Sequence, residues 1–117
     1  MERRLFLFEW NARAAGERAA ALGAAGWTVE VECEDGARGV RRVLDLQPAM
    51  VVLDLARRPS HSRECAAALR KYRATRRLPL VFVDGTPEEQ SRTAAKVRDA
   101  IFIGSEMLLT RLASMDA

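Results

Sequence analysis

The run MVVLDL, residues 50–55, limits the fold of this 117-residue chain more than any other stretch. It is continuously apolar up to its aspartate and rich in β-branched residues. Strands of this kind are buried on both faces, as central strands of parallel sheets are. Two further apolar runs, 5–8 and 80–83, have the same character. Because parallel strands need long crossover connections, usually helices, the runs predict an α/β fold.

Helical patterns separate the strand candidates along the whole chain. Asn11 is a good N-cap for the alanine-rich segment that follows it. Thr86, Pro87 and Glu89 form a strong helix start, with an N-cap, a first-turn proline and a capping box. Five strands and five helices in strict alternation predict right-handed crossovers and a single domain over residues 1–117.

The second strand candidate, WTVEVEC, differs from the others because it alternates. Its apolar side chains share one face, and Glu30 and Glu32 share the other. This pattern predicts an edge strand with one side in water.

Composition narrows the class of protein. Apolar residues make up 49% of the chain, and no apolar run approaches the length of about 18 residues that spans a membrane. The N-terminus has basic and then apolar residues, but Glu9 interrupts it and no cleavage site follows, so we interpret it as a strand in a cytoplasmic protein. Cys33 and Cys65 have neither metal-binding nor disulfide-framework spacing, which predicts reduced thiols.

The basic residues are unevenly distributed. The net charge is +3, yet residues 57–77 hold eight basic residues against a single acid, Glu64. Such a segment predicts either a solvated helix or a surface that binds nucleic acid or another polyanion. The basic residues are Arg57, Arg58, Arg63, Arg70, Lys71, Arg73, Arg76 and Arg77.

Three carboxylates follow buried strand candidates. Glu9, Asp54 and Asp84 end strands one, three and four, so they are expected to converge at one edge of the sheet. Oxygen ligands suit a divalent cation, and a weak magnesium site is one interpretation. The alternatives are that Arg57, Arg58 or backbone N–H groups satisfy the carboxylates, or that one of them stays protonated.

Catalysis by the neighbouring hydroxyl and imidazole is not favoured. Asp54, Ser60 and His61 are the residue types of a hydrolase site, but Ser60 is better placed as a helix N-cap and the G-x-S-x-G elbow is missing. No glycine-rich phosphate loop follows strand one either. The sequence therefore predicts no catalytic residues and a protein that is not an enzyme.

Three short patterns together resemble the receiver domain of two-component response regulators. They are Gly26-Trp27 before strand two, Asp35-Gly36 before helix two, and a proline at Pro48 leading into VVLDL. The resemblance covers the whole chain. It implies a flavodoxin-like αβα sandwich whose parallel sheet has the order 2-1-3-4-5, with a site beyond strands one and three.

The resemblance also assigns positions in that site. Asp54 matches the phosphoacceptor, and Glu9 matches the first of two magnesium-binding acids. Trp10 stands where the second acid is expected, Asp84 where a hydroxyl ends strand four, and Gly104 where a lysine ends strand five. Phosphotransfer needs a divalent cation and a positive partner for the phosphoryl group, so these departures imply that the chemistry has degenerated.

The predicted function is an atypical, phosphorylation-independent, stand-alone receiver-like module for signalling through protein–protein contacts, as a homodimer. A receiver phosphorylated on Asp54, a polyanion-binding protein and a metal-dependent activity remain alternatives. Trp10 is expected to plug the vacant pocket. The predicted rim comprises Trp10, Asn11, Arg57, Arg58, Ser60, His61, Gly104 and Ser105. The predicted interface on helix five comprises Met107, Leu108, Leu109, Leu112 and Met115.

Overall fold

The protein forms one five-stranded parallel sheet. The computed structural model describes residues 3–115, and its strand order is β2-β1-β3-β4-β5. This is the flavodoxin-like order that the sequence predicts. The strands are β1 Arg4–Phe8, β2 Thr28–Glu32, β3 Met50–Asp54, β4 Leu80–Val83 and β5 Ala100–Ile103.

A helix follows each strand. A 3-10 turn, Ser105–Met107, precedes the last of them. Within residues 3–115, no helix is long and apolar enough to cross a membrane. The helices are α1 Ala12–Ala24, α2 Gly36–Leu46, α3 Pro59–Lys71, α4 Pro87–Lys96 and α5 Leu108–Met115.

Two of the predicted helix starts are confirmed. The Asn11 side chain accepts a hydrogen bond from the Ala14 N–H at 2.9 Å, and the Thr86 hydroxyl accepts one from the Glu89 N–H at 3.1 Å. Each bond satisfies an N–H group that the first helical turn leaves unpaired.

The predicted N-caps at Ser60 and Ser105 are wrong. Helix α3 begins one residue earlier, at Pro59, and Arg58 occupies the cap position with φ of 43°. Proline suits the first helical position because it has no N–H to satisfy. Gly104, rather than Ser105, precedes the 3-10 turn, and neither start has a side-chain cap.

The core lies on both faces of the sheet. Helices α2 and α3 pack on one face, where Phe6, Phe8 and Phe82 are fully buried. Helices α1 and α5 pack on the other, against Leu5 and Leu7 among others. The central strand β3 is buried along its whole length, as MVVLD predicts.

Helix α2 approaches the sheet closely at Gly39. A Cβ atom there would overlap the Phe8 ring and lie 3.0 Å from Cγ of Glu32. Only glycine therefore allows the helix to sit this low over the ends of β1 and β2.

Both cysteines are free thiols, as predicted. Cys33 is half-buried, and Cys65, on α3, is buried and faces α2 at Gly36. Burial raises the pKa of Cys65 to about 12, so this thiol is protonated at neutral pH.

Candidate functional site

The carboxyl edge of the sheet opens into a cavity of about 510 Å³. Asp54 at the end of β3 and Asp84 just after β4 line it from the sheet. Arg18 on α1, Arg57 in the loop after β3, and Ser105 line it from the surrounding segments. The cavity therefore lies where the topology of the sheet predicts a site.

The Asp54 carboxylate is held mainly by hydrogen bonds from backbone N–H groups. Its side chain is nearly inaccessible, at 3% exposure, and Oδ2 accepts a hydrogen bond from the Arg57 N–H at 2.7 Å. Burial raises the pKa of Asp54, and the bonds from Arg57 and Ala56 N–H offset only part of that rise. The carboxylate is thus costly to keep ionised in the folded protein.

Glu9 is fully buried beside Asp54 and faces two guanidinium groups. Oε1 accepts a hydrogen bond from Nη1 of Arg57 at 3.2 Å. Oε2 lies 3.8 Å from Nε of Arg18, and both of these atoms are buried without a hydrogen-bond partner within residues 3–115. Burial, and then the charge of Asp54, raise the pKa of Glu9. Arg57 is thus the arginine that hydrogen-bonds to this cluster, and it leaves Oε2 of Glu9 without a hydrogen bond within residues 3–115.

Arg18 is a site residue that sequence reasoning missed. A signal existed, because Arg18 lies three residues after Ala15, whose side chain faces the core. On a helix, residues three apart are neighbours, so Arg18 borders the buried face. Its guanidinium supplies a positive charge that the resemblance gives no reason to expect at this position.

Asp84 does not join the other two carboxylates. Its backbone has φ of 63°, and Oδ1 accepts a hydrogen bond from the Ser105 N–H at 2.8 Å. The side chain therefore ties the end of β4 to the turn after β5. Over the described part of the chain, no three His, Cys, Asp or Glu side chains are grouped to hold a metal ion.

The donor set does not fit the magnesium site considered from sequence. A magnesium ion is held by carboxylate and carbonyl oxygens and water. Here the arginine side chains face Glu9, and Trp10 replaces the second acid. Arg18 and Arg57 form ion pairs with Glu9. Asp54 lies in the field of both charges but, within residues 3–115, contacts neither guanidinium.

Trp10 lies on the α2–α3 side of the sheet and is not among the residues lining the cavity. Its Nε1 donates to Oγ of Ser62 at 2.8 Å, and that hydroxyl donates to the Asp54 carbonyl at 2.5 Å. The indole also meets the His61 ring edge-on, with centroids 5.6 Å apart. The prediction that Trp10 plugs the pocket is therefore corrected. Ser62, which sequence reasoning passed over, is the buried serine of this region.

Of the other predicted rim residues, Arg57 and Ser105 line the cavity, and the rest lie outside its lining. Arg58, Ser60 and His61 are exposed. Between residues 3 and 115, no hydrogen bond joins the side chains of Asp54, Ser60 and His61, so the structure does not assemble a hydrolase-like group. Asn11 caps α1, and Gly104 accepts a hydrogen bond from Met107 N–H at 3.0 Å.

Helix α5 divides the predicted interface residues into two groups. Leu108 and Leu112 are buried in the core, and Met115 is half-buried. Met107 and Leu109 are 47% and 43% exposed. Only these last two present large apolar side chains to solvent, so the candidate interface is smaller than the sequence predicts.

Comparison with known proteins identifies the fold. No protein-family model matches this sequence, and no curated protein matches it. Solved structures do match. The chemotaxis protein CheY4 of Vibrio cholerae superposes with a TM-score of 0.82 at 15% identity, covering 97% of this chain and 98% of that one. The chain has the fold of response-regulator receiver domains.

Two other receiver-fold structures extend the match. The receiver domain of sensor histidine kinase PA1611 from Pseudomonas aeruginosa has a TM-score of 0.81 at 14% identity, over 98% of this chain and 94% of that one. It holds a magnesium ion in its active-site cleft. A response regulator from Burkholderia multivorans is 22% identical over 100% of this chain and 97% of that one, with a TM-score of 0.69. At such identities the fold is shared, and the site must be judged on its own residues.

Proposed function

We propose that this protein is a receiver-fold signalling module that acts through protein–protein contacts and does not need phosphorylation of Asp54. The observation that carries the proposal is the contact between Arg57 and the two buried acids. Arg57 donates its side chain to Glu9 and its backbone N–H to Asp54. Arg57 therefore places a positive charge of the chain itself against Glu9, next to Asp54.

The remaining positions support the same conclusion. Phosphoryl transfer to an aspartate depends on cations that gather and neutralise the phosphate oxygens. Gly104 supplies no cation at the end of β5, and Asp84 brings a carboxylate to the cavity wall. A phosphoryl group on Asp54 would add negative charge beside the buried Glu9, in a cavity whose wall also carries Asp84.

The contact surface that we propose spans the 3-10 turn Ser105–Met107 and the start of helix α5. Met107 and Leu109 are exposed there, beside the cavity, and Leu109 also lines it. Exposed apolar side chains next to a polar rim are typical of protein interfaces. We propose a second copy of this chain as the partner.

Mass spectrometry tests the chemistry. The protein is incubated with acetyl phosphate and magnesium chloride, and its intact mass is then measured in acid. We expect no added phosphoryl group on the wild type, while a phosphorylatable receiver treated in parallel gains one. A phosphoryl adduct that Asp54→Asn abolishes would establish the alternative of a phosphorylated receiver.

Calorimetric titration with magnesium and manganese tests the metal-dependent alternative, and we expect no saturable heat.

Sedimentation at several concentrations tests the contact surface. We expect the wild type and Asp54→Asn to dimerise equally, because the contact does not depend on the phosphoacceptor position. Met107→Ser combined with Leu109→Ser should weaken the dimer about tenfold or more, as loss of central apolar contacts does. Thr110→Ser, an exposed neighbour on the same helix, is the control. A wild type that stays monomeric would reject the homodimer.

A further inference from the structure

A second cavity, of about 570 Å³, lies at the opposite edge of the sheet from Asp54. Its walls include the segments that lead into β4 and β5, and its floor includes Leu78, Pro79 and Ile101. Among residues 3–115, four arginines and one carboxylate, Asp99, line it. We call this cavity the basic cleft. Its arginines are Arg70, Arg76, Arg77 and Arg98.

The structure separates the basic segment 57–77 into groups with different environments. Arg57 is paired with Glu9, and Arg63 lies 3.7 Å from Glu89. Among the described residues, no carboxylate forms an ion pair with the arginines near the end of the segment. Within residues 3–115, the side chains of Arg76, Arg77 and Arg98 make no hydrogen bond and no ion pair, and all three are exposed.

Arg70 is fixed in place by backbone carbonyls. Its Nε donates to the Arg98 carbonyl at 2.9 Å and its Nη1 to the Leu78 carbonyl at 2.7 Å. These bonds join the end of α3 to the segments before β4 and β5. The carbonyl groups orient the guanidinium but leave its charge without a carboxylate in contact, so it adds to the positive potential of the cleft.

The turn that carries Arg76 and Arg77 is also ordered before any ligand binds. The Thr75 side chain is buried, and its hydroxyl donates to the Leu69 carbonyl at 2.5 Å. The Arg76 N–H donates to the Tyr72 carbonyl at 2.9 Å. A ligand would therefore meet arginines on a preformed backbone, which reduces the entropy lost on binding.

We propose that the basic cleft binds the phosphate groups of a nucleotide, either free or within a nucleic-acid strand. Guanidinium groups match phosphate oxygens in geometry and charge, and four of them converge here with little internal neutralisation. A concave basic surface also favours a strand over a flat anionic membrane. The apolar side chains that line the cleft, among them Leu78, Ile101 and Met115, are only partly exposed. The cleft therefore offers no fully exposed apolar anchor for lipid.

Fluorescence anisotropy with labelled random-sequence DNA, single-stranded and duplex, tests this proposal at low and moderate salt, and calorimetry with ATP tests the free nucleotide. We expect salt-dependent binding of at least one of these probes by the wild type. The triple variant Arg76→Ala, Arg77→Ala, Arg98→Ala should bind that probe at least about tenfold more weakly and, with DNA, should lower the salt slope by roughly two to three.

The matched control is Arg13→Ala, Arg41→Ala, Arg92→Ala. It removes the same charge from exposed positions outside the cleft, and we expect affinity within about twofold of the wild type. Circular dichroism of both variants checks that they are folded. Equal losses in the two variants, or no binding of any probe at low salt, would each overturn the proposal.

Discussion

Two buried glutamates on neighbouring strands show how differently one residue type can be accommodated. Glu32 ends β2 and Glu9 follows β1, and both are essentially inaccessible to solvent. Glu32 receives both arms of Arg38, each at 2.7 Å, and the N–H groups of Glu34 and Asp35, each at 3.0 Å. Within residues 3–115, the Glu9 side chain receives a single hydrogen bond, from Arg57 at 3.2 Å.

The two glutamates differ in the direction in which their pKa values are shifted. The bond from Arg38 lowers the pKa of Glu32 to about 2, whereas burial and the charge of Asp54 raise the pKa of Glu9. Burial alone therefore does not decide whether a carboxylate stabilises the fold. The number of hydrogen-bond donors that reach the carboxylate decides it. Glu32 forms a structural ion pair with Arg38. Glu9 is a buried acid with too few hydrogen-bond donors, at the edge of the sheet where a site is expected.

The largest effect should come from the glycine that lets helix α2 close over Glu32. Gly39→Ala places a methyl group against the Phe8 ring and Glu32, so the helix must move away from the sheet. We expect a loss of about 3 kcal/mol in the free energy of unfolding, measured by urea denaturation.

Gly16→Ala is the matched control for that substitution. It lies in helix α1, and nothing lies within 4 Å of the added Cβ atom. Alanine should there raise stability by up to about 1 kcal/mol through helix propensity. Equal effects of the two substitutions would mean that the close approach at Gly39 has no energetic importance.

Glu32→Gln should cost about 2 kcal/mol at neutral pH, because the variant loses a charged, multiply bonded carboxylate facing Arg38. The wild-type advantage is full above the ordinary glutamate pKa of 4.5 and is lost as the pH falls towards about 2. Urea denaturation at neutral and acidic pH measures both. A cost that does not shrink in acid would show that the charge of Glu32 is not its source.

Glu9→Gln, the same substitution one strand away, should have the opposite and smaller effect. The raised pKa means that ionised Glu9 destabilises the fold, so an uncharged amide should add about 1 kcal/mol at neutral pH. That gain should disappear as the pH falls below 4.5, where Glu9 is protonated in both states. A loss comparable to that of Glu32→Gln would remove the distinction between the two glutamates.

Much of the fold could be predicted because its signals are local. The apolar runs of β1, β3 and β4 need no tertiary information, and Asn11 and Thr86 cap helices through bonds to residues three positions away. Strand β2 was different. Its alternation predicts an exposed face, yet Glu32 is buried, because α2 returns over it and Arg38 reaches back to pair with it.

The site was harder to predict because it depends on the directions in which individual side chains point. Glu9, Asp54 and Asp84 do end or follow adjacent strands, but the backbone turn at Asp84 directs its carboxylate to Ser105. Trp10 packs over Ser62 on the other face of the sheet. Neither direction follows from spacing along the chain, and nor does the pairing of Arg18 with Glu9.

A hydrogen-bonded chain runs from Trp10 through Ser62 to the Asp54 carbonyl. The intrinsic fluorescence of Trp10 is therefore sensitive to this region of the protein. Of the two tryptophans, Trp27 lies near Arg3, whose guanidinium carbon is 4.3 Å from the Trp27 ring centre. In a Trp27→Phe background, the emission wavelength of the remaining indole would report on the backbone at the end of β3. Ligand binding, protonation or a partner that shifts that backbone could then be followed in real time without a label.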